Sequence, residues 1–322
     1  MTYTQSTKVL ASIIDDIAAG LISSTDPIDN MNHWSNADTA WNTTVRTGIE
    51  ARRALKYQNG TEIIYIALEA RNTWYTNWQS YMAKGLRITF STSWDPANHT
   101  YMGSIQQTSI PFITSTGSPT VDMAITNITY YLWIESNGFV IMARPEPTAA
   151  GSDNSFFAVV ERCPNKFYND NQTNFYCYNV MNNWPTFCSV SYASTPDLHR
   201  SFMRPFIYMW PSANVSDRTP STYCLTFGSF DRSYAFKSSG NGKIYYVKPI
   251  IFNNTLEFGQ SPIGINAIPI FQSELWFYWS EGMGLIDGDV VAVEGQATKY
   301  LVKSLDSPDY TAKITYGIKF VG

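Results

Sequence analysis

Apolar and aromatic residues recur with a period of about two in stretch after stretch of this chain, and that alternation confines it to folds built from half-buried β-strands. Glu62-Ile63-Ile64-Tyr65-Ile66-Ala67-Leu68-Glu69 and Thr129-Tyr130-Tyr131-Leu132-Trp133-Ile134-Glu135 are the strongest examples. Aromatic and charged residues each make up 15% of the sequence, whereas an ordinary soluble domain carries roughly a quarter charged residues. Asn, Ser, Thr, Tyr and Trp fill the gap. They suit β-surfaces that pack, hydrogen-bond and dock without long ionic side chains.

A chain of 322 residues is long enough to bury a proper core, and at ~150 residues per domain it predicts about two domains. The net charge of −4 and the lack of a cationic stripe exclude a nucleic-acid surface, which must neutralise phosphates. The densest basic cluster, Arg52-Arg53 with Lys56, reads as the solvated end of a short helix. Lys8 is followed by an apolar stretch broken by Asp15-Asp16, unlike a secretory signal, so the expectation is a leaderless protein made in the cytoplasm. No apolar run approaches the ~18 residues of a membrane span, so no membrane insertion is expected.

Strands are predicted over 62–71, 86–93, 104–113, 122–135, 139–144, 156–162, 173–180, 201–208, 222–230, 243–252, 274–279, 289–294, 299–304 and 313–320. Ser136-Asn137-Gly138 predicts a hairpin between two apolar strands. Many short strands without intervening helices specify a mainly β protein of antiparallel sandwich-like or barrel-like domains with a short N-terminal helix. That helix carries Leu10, Ile13, Ile14, Ile17 and Leu21 on one face, with Ser6 or Thr7 as N-cap and Gly20 and the Ser23-Ser24 run as its stop. Its apolar face needs a partner, either its own domain or a neighbouring subunit, so these five residues form a candidate helix interface. Residues 28–44 read as irregular and Ile49 to Leu55 as briefly helical, ending at the Asn59-Gly60 turn. The expected division is a helical arm over 1–30, a first β-domain over 31–150, a second over 151–272 holding every cysteine, and a small β-subdomain over 273–322. In the last, 289–294, 299–304 and 313–320 form a three-stranded unit with Leu275 and Phe277 nearby.

The residue patterns of catalysis are missing, and no enzyme, cofactor or metal site is predicted. His33, His99 and His199 lack the i, i+4 pairing of a zinc protease. Gly259-Gln260-Ser261-Pro262-Ile263-Gly264 is one residue too long for a nucleophile elbow. Gly240-Asn241-Gly242-Lys243 lacks the spacing of a phosphate loop, and Asp287-Gly288-Asp289 the further ligands of a calcium loop. Asp95, Glu135, Asp153 and Glu161 are carboxylates that could serve glycan hydrolysis, but nothing in the sequence pairs them. Cys163, Cys177, Cys188 and Cys224 permit two disulfides in three connectivities, while a reducing cytosol favours buried thiols. The Asn72 to Tyr81 segment stands apart: Trp74, Tyr75, Trp78 and Tyr81 alternate with amides in an expected exposed loop, suited to a protein interface or to stacking on sugar rings.

Three stretches resemble virion proteins of tailed bacteriophages. They are Gly60 to Ala70 with Gly85 to Ser91; Tyr131 to Phe139 leading to Phe156 to Arg162; and Gly284 to Phe320. The resemblance implies a non-enzymatic structural subunit of the virion, made in the host cytoplasm, foremost of the tail or baseplate, with neck, collar or capsid decoration behind. Its partners would be other virion proteins and copies of itself. The absence of long fibrous repeats argues against a shaft. The alternative is a receptor-binding module that recognises host cell-wall glycan.

Overall fold

The computed structural model describes residues 2–43, 47–76, 82–115, 122–145, 156–167, 174–181, 206–208, 222–225, 250–254, 267–279, 285–307 and 310–321. These residues form three antiparallel sheets and two helices, a mainly β fold with a short N-terminal helix. No helix among them is long and apolar enough to cross a membrane.

The first sheet has nine strands: β1 (Thr2–Val9), β7 (Asn127–Glu135), β8 (Gly138–Pro145), β9 (Phe156–Arg162), β10 (Phe175–Met181), β11 (Phe206–Tyr208), β12 (Thr222–Leu225), β13 (Ile250–Asn254) and β14 (Ala267–Gln272), paired in that order. The second contains β2 (Trp34–Asn36), β3 (Ile49–Asn59), β4 (Glu62–Thr76), β5 (Met82–Asp95) and β6 (Thr100–Ser115), again in sequence order. The third orders β15 (Trp276–Trp279), β18 (Tyr310–Val321), β17 (Lys299–Ser307) and β16 (Val290–Ala292). Neighbours in sequence are mostly neighbours in space, as hairpin connections require.

The β7–β8 hairpin turns where the sequence predicts it, with Glu135 opposite Gly138. Gly138 has φ +143, and a Cβ there would meet the Val160 carbonyl oxygen at 1.9 Å, so this turn needs glycine both for its backbone and for the approach of β9. The boundary expected at 150 falls between β8 and β9, which pair directly, Val140 opposite Val159. One sheet therefore runs through the arm and both expected β-domains. The strand pairings at the C-terminus follow the alternation: Val290 pairs with Leu301, and β18 lies between β17 and β15.

The main core is shared by three components. The first sheet supplies Tyr130, Leu132, Ile134, Phe139, Ile141, Val160 and Phe175; the second supplies Leu55, Tyr57, Ile64, Ile66, Leu68, Leu86, Ile88 and Phe90. Helix α1 (Leu10–Ser23) adds Leu10, Ile13, Ile14, Ile17 and Leu21, all fully buried, with Ala18. The expected helix interface is thus closed by the chain's own sheets, a sandwich-like arrangement in which the helix contacts strands of both.

Several local expectations are corrected. Ser6 and Thr7 lie in β1, and the helix starts after Val9 with no side-chain cap. Gly20 does not stop the helix: it sits inside it, where a Cβ would collide with the Ile134 Cδ1. The Ser23-Ser24 stop is real, since Ser24 donates both its amide and its hydroxyl to the Leu21 carbonyl. The segment from Ile49 to Leu55 is strand β3, because pairing to β4 along its length outweighs the helix propensity of Ala, Arg and Leu. Residues 28–44 hold β2 and the short helix α2 (Thr39–Thr43), built around buried Trp34 and Trp41.

Candidate functional site

The segment between α1 and β2 is a tightly hydrogen-bonded loop. The Asp26 amide donates to the Met31 carbonyl and the Asn30 amide to the Asp26 carbonyl, both at 2.8 Å. Two carboxylates close smaller turns inside it: Asp26 Oδ1 accepts the Ile28 amide at 2.8 Å, and Asp29 Oδ1 the Met31 amide at 2.9 Å. Asn30 takes φ +58, a left-handed position that Asn tolerates. The loop holds two apolar side chains out in water, with Ile28 91% and Met31 60% exposed.

Beneath this tip the free carboxylate oxygens turn toward His33, which is buried. Its Nε2 lies 2.9 Å from Asp29 Oδ2 and 3.9 Å from Asp26 Oδ2. On the other side of the ring Nδ1 lies 3.1 Å from the Gln58 carbonyl oxygen, so it carries a proton and donates. The Gln58 amide in turn donates to the His33 carbonyl at 2.9 Å, which fixes the loop's end to β3. Asn59 Nδ2 stands 3.4 Å from Nε2, and the Tyr57 ring packs on the imidazole at 5.6 Å. The result is an apolar tip on a polar, rigid base. Sequence reasoning passes over it because Asp26, Asp29 and His33 match no search for paired histidines; the one available signal was an Asp-x-x-Asp-x-x-x-His spacing in a Pro- and Asn-containing turn.

A second cluster lies on the face of the second sheet turned away from the main core. Asp38 Oδ1 accepts the Trp41 amide at 2.8 Å, and Oδ2 accepts the Trp94 indole at 3.0 Å and His99 Nδ1 at 2.7 Å. Burial alone would raise the Asp38 carboxyl, but the Trp41 amide, the His99 ring and the Trp94 indole together hold it below the ordinary aspartate value. Trp94 meets Trp41 edge-on at 5.5 Å and stacks with Tyr65 at 6.3 Å, while the Arg52 guanidinium sits 4.3 Å over Trp41. A carboxylate that orients an imidazole also occurs in general-base dyads. Here the same carboxylate caps α2 and anchors an indole, so it ties the helix to the sheet.

The residues singled out from sequence are placed as follows. Trp74 and Tyr75 lie on β4, which continues through the expected loop to Thr76; Trp78 and Tyr81 lie outside the described residues. Asp95 accepts the amides of Ala97 and Asn98, Glu135 pairs with Lys319 at 3.1 Å, and Glu161 accepts the Ser273 hydroxyl and the Glu274 amide, so these carboxylates serve three separate places. Asp153 and His199 lie outside the described residues, as do the glycine-rich segments at 240–243 and 259–264. Asp287 pairs with Lys303 at 3.1 Å, and Asp289 accepts the Ile286 amide, which makes 286–289 a turn. Cys163 is a free buried thiol whose titration burial pushes up, with the Glu161 charge adding. Cys177 and Cys224 lie on β10 and β12, and Cys188 lies outside the described residues.

Comparisons with profiles of protein families, with curated proteins and with solved structures return no match.

Proposed function

We propose that this protein is a non-enzymatic structural subunit of a tailed-phage virion, most at home in the tail or baseplate, which works by docking onto other virion proteins and onto copies of itself. The observation that carries the reading is the 24–33 loop, where internal hydrogen bonds hold Ile28 and Met31 in water before any partner arrives. Exposed apolar side chains on a preordered loop lose little conformational entropy on docking, which is how rigid anchors gain affinity. The resemblance to virion proteins supports the same reading, since its stretches fall on β4, β5, β7, the start of β8, β9, β16, β17 and β18, the scaffold strands. Mass spectrometry of gradient-purified particles tests it. The protein should co-sediment at a fixed copy number; its recovery in the free lysate fraction alone would overturn the proposal.

A second reading, recognition of host cell-wall glycan, draws on the aromatic group of Trp94, Tyr65 and Tyr101 beside half-exposed His99. A glycan array distinguishes the two. Saturable binding abolished by Tyr101→Ala, at the partly exposed ring of that group, or by Trp74→Ala with Trp78→Ala would favour the receptor-binding role.

A further inference from the structure

The base of the 24–33 loop has the composition of a cation site. The metal-competent atoms of Asp26, Asp29 and His33 all lie within 4.8 Å of one another. Asp26 is 4% and His33 8% exposed, so two of the three groups are withdrawn from the water that would otherwise solvate them. Asp26 Oδ2 lies too far from Nε2, at 3.9 Å, for a hydrogen bond. Asp29 Oδ2, at 2.9 Å, is within hydrogen-bond reach of Nε2 and leaves Asp26 as the buried carboxylate without that contact, so a cation taking the place of the Nε2 proton would be shared by all three groups.

An independent feature points to a missing ligand. Tyr57 is fully buried with its ring against His33, and among the described residues its hydroxyl makes no hydrogen bond of normal geometry, the Asn59 side chain being the polar group that reaches it. A buried hydroxyl left unpaired costs about 1–3 kcal/mol. A water molecule held by an ion in the pocket would satisfy it.

We propose that Asp26, Asp29 and His33 bind one divalent first-row transition ion, zinc foremost, which clamps the loop carrying Ile28 and Met31. His33 is prepared for the role: its Nδ1 is committed to the Gln58 carbonyl at 3.1 Å, which leaves Nε2 as the ligand atom and fixes the ring's orientation, the usual outer-sphere arrangement of metal-bound histidine. Bonds of about 2.0–2.2 Å in tetrahedral geometry separate ligand atoms by roughly 3.4 Å. The observed 2.9 and 3.9 Å bracket that value, so small opposite shifts of the two carboxylates would close the site. Asn59 supplies a fourth candidate, because turning its amide over exchanges the nitrogen 3.4 Å from Nε2 for an oxygen. One imidazole with oxygen donors favours zinc or its neighbours over calcium, which takes six to eight oxygens.

The test uses the full chain, stripped with chelator and titrated calorimetrically with zinc chloride, with calcium chloride as the comparison. The expected result is one equivalent of zinc bound, a higher melting temperature, and an affinity for zinc above that for calcium. Asp29→Asn, at the half-exposed position of the site, should fold normally and weaken zinc binding by about tenfold or more. His33→Gln should abolish binding, with far-UV circular dichroism reporting whether it folds; if it does not, Asp29→Asn decides. Absence of zinc binding, binding unchanged in Asp29→Asn, or a preference for calcium would each overturn the assignment.

Discussion

Two glycines make close contacts whose consequences differ. At Gly138 an added Cβ would meet backbone, the Val160 carbonyl at 1.9 Å, and the residue holds φ +143. At Gly20 it would meet the Ile134 side chain, nearest at its Cδ1 end at 2.0 Å, and no backbone atom is among its close neighbours. Gly138→Ala should therefore destabilise by well over about 1 kcal/mol, whereas Gly20→Ala recovers about 0.8–1 kcal/mol of helix propensity against its clash and should cost less. Urea midpoints of the two variants check the order. Asp38 gives a signed pH dependence. Its carboxyl titrates below the ordinary 3.8 in the folded protein, so in that acid range the unfolded chain binds more protons and stability rises with pH. The contribution is fully present above the ordinary value and is lost as pH falls through the lower folded-state value. Asp38→Asn should flatten the dependence of the urea midpoint on pH in that window; an unchanged slope would place the acid sensitivity elsewhere.

At the scale of elements, the strands that sequence reveals are those in which one face is buried and apolar. Ile64, Ile66 and Leu68 on β4, and Leu132 and Ile134 on β7, point into the core exactly as alternate positions require. β1 escapes notice because Thr-Tyr-Thr-Gln-Ser-Thr-Lys-Val has little apolar content; as an edge strand it is held by pairing to β7, Tyr3 opposite Trp133. β3 escapes because local propensity and tertiary pairing disagree there, and pairing prevails. The 24–33 cluster was legible only as an Asp-x-x-Asp-x-x-x-His spacing, because the turns that bring Asp26 and Asp29 to His33 are set by hydrogen bonds within the loop and to Gln58. β18 offers the clearest test at this scale: it is an interior strand, paired on one side to β15 and on the other to β17. Deleting residues 313–322 should unpair both neighbours, leave Ile318's apolar position vacant, and produce aggregation or exclusion from particles. A monodisperse truncated protein that enters particles would contradict this.

For the molecule as a whole, the first and second sheets and α1 enclose one core; the third sheet joins the first through Lys319 to Glu135 at 3.1 Å, and the connection leading into β15 is held by Ser273 and Glu274 to Glu161 at 2.8 Å each. Such a scaffold can hold the 24–33 loop at a fixed place while its tip meets a partner. The central claim, that this tip is an assembly anchor, is tested most directly by competition. Wild-type protein and an Ile28→Asp/Met31→Asp variant are co-expressed during particle production, and their ratio in purified particles is compared with that in the lysate by quantitative mass spectrometry. Both substitutions are at exposed positions, so the variant should fold as the wild type does. The account predicts depletion of the variant from particles by roughly tenfold or more, the scale of a lost interface hot spot; an equal ratio in particles and lysate would contradict it.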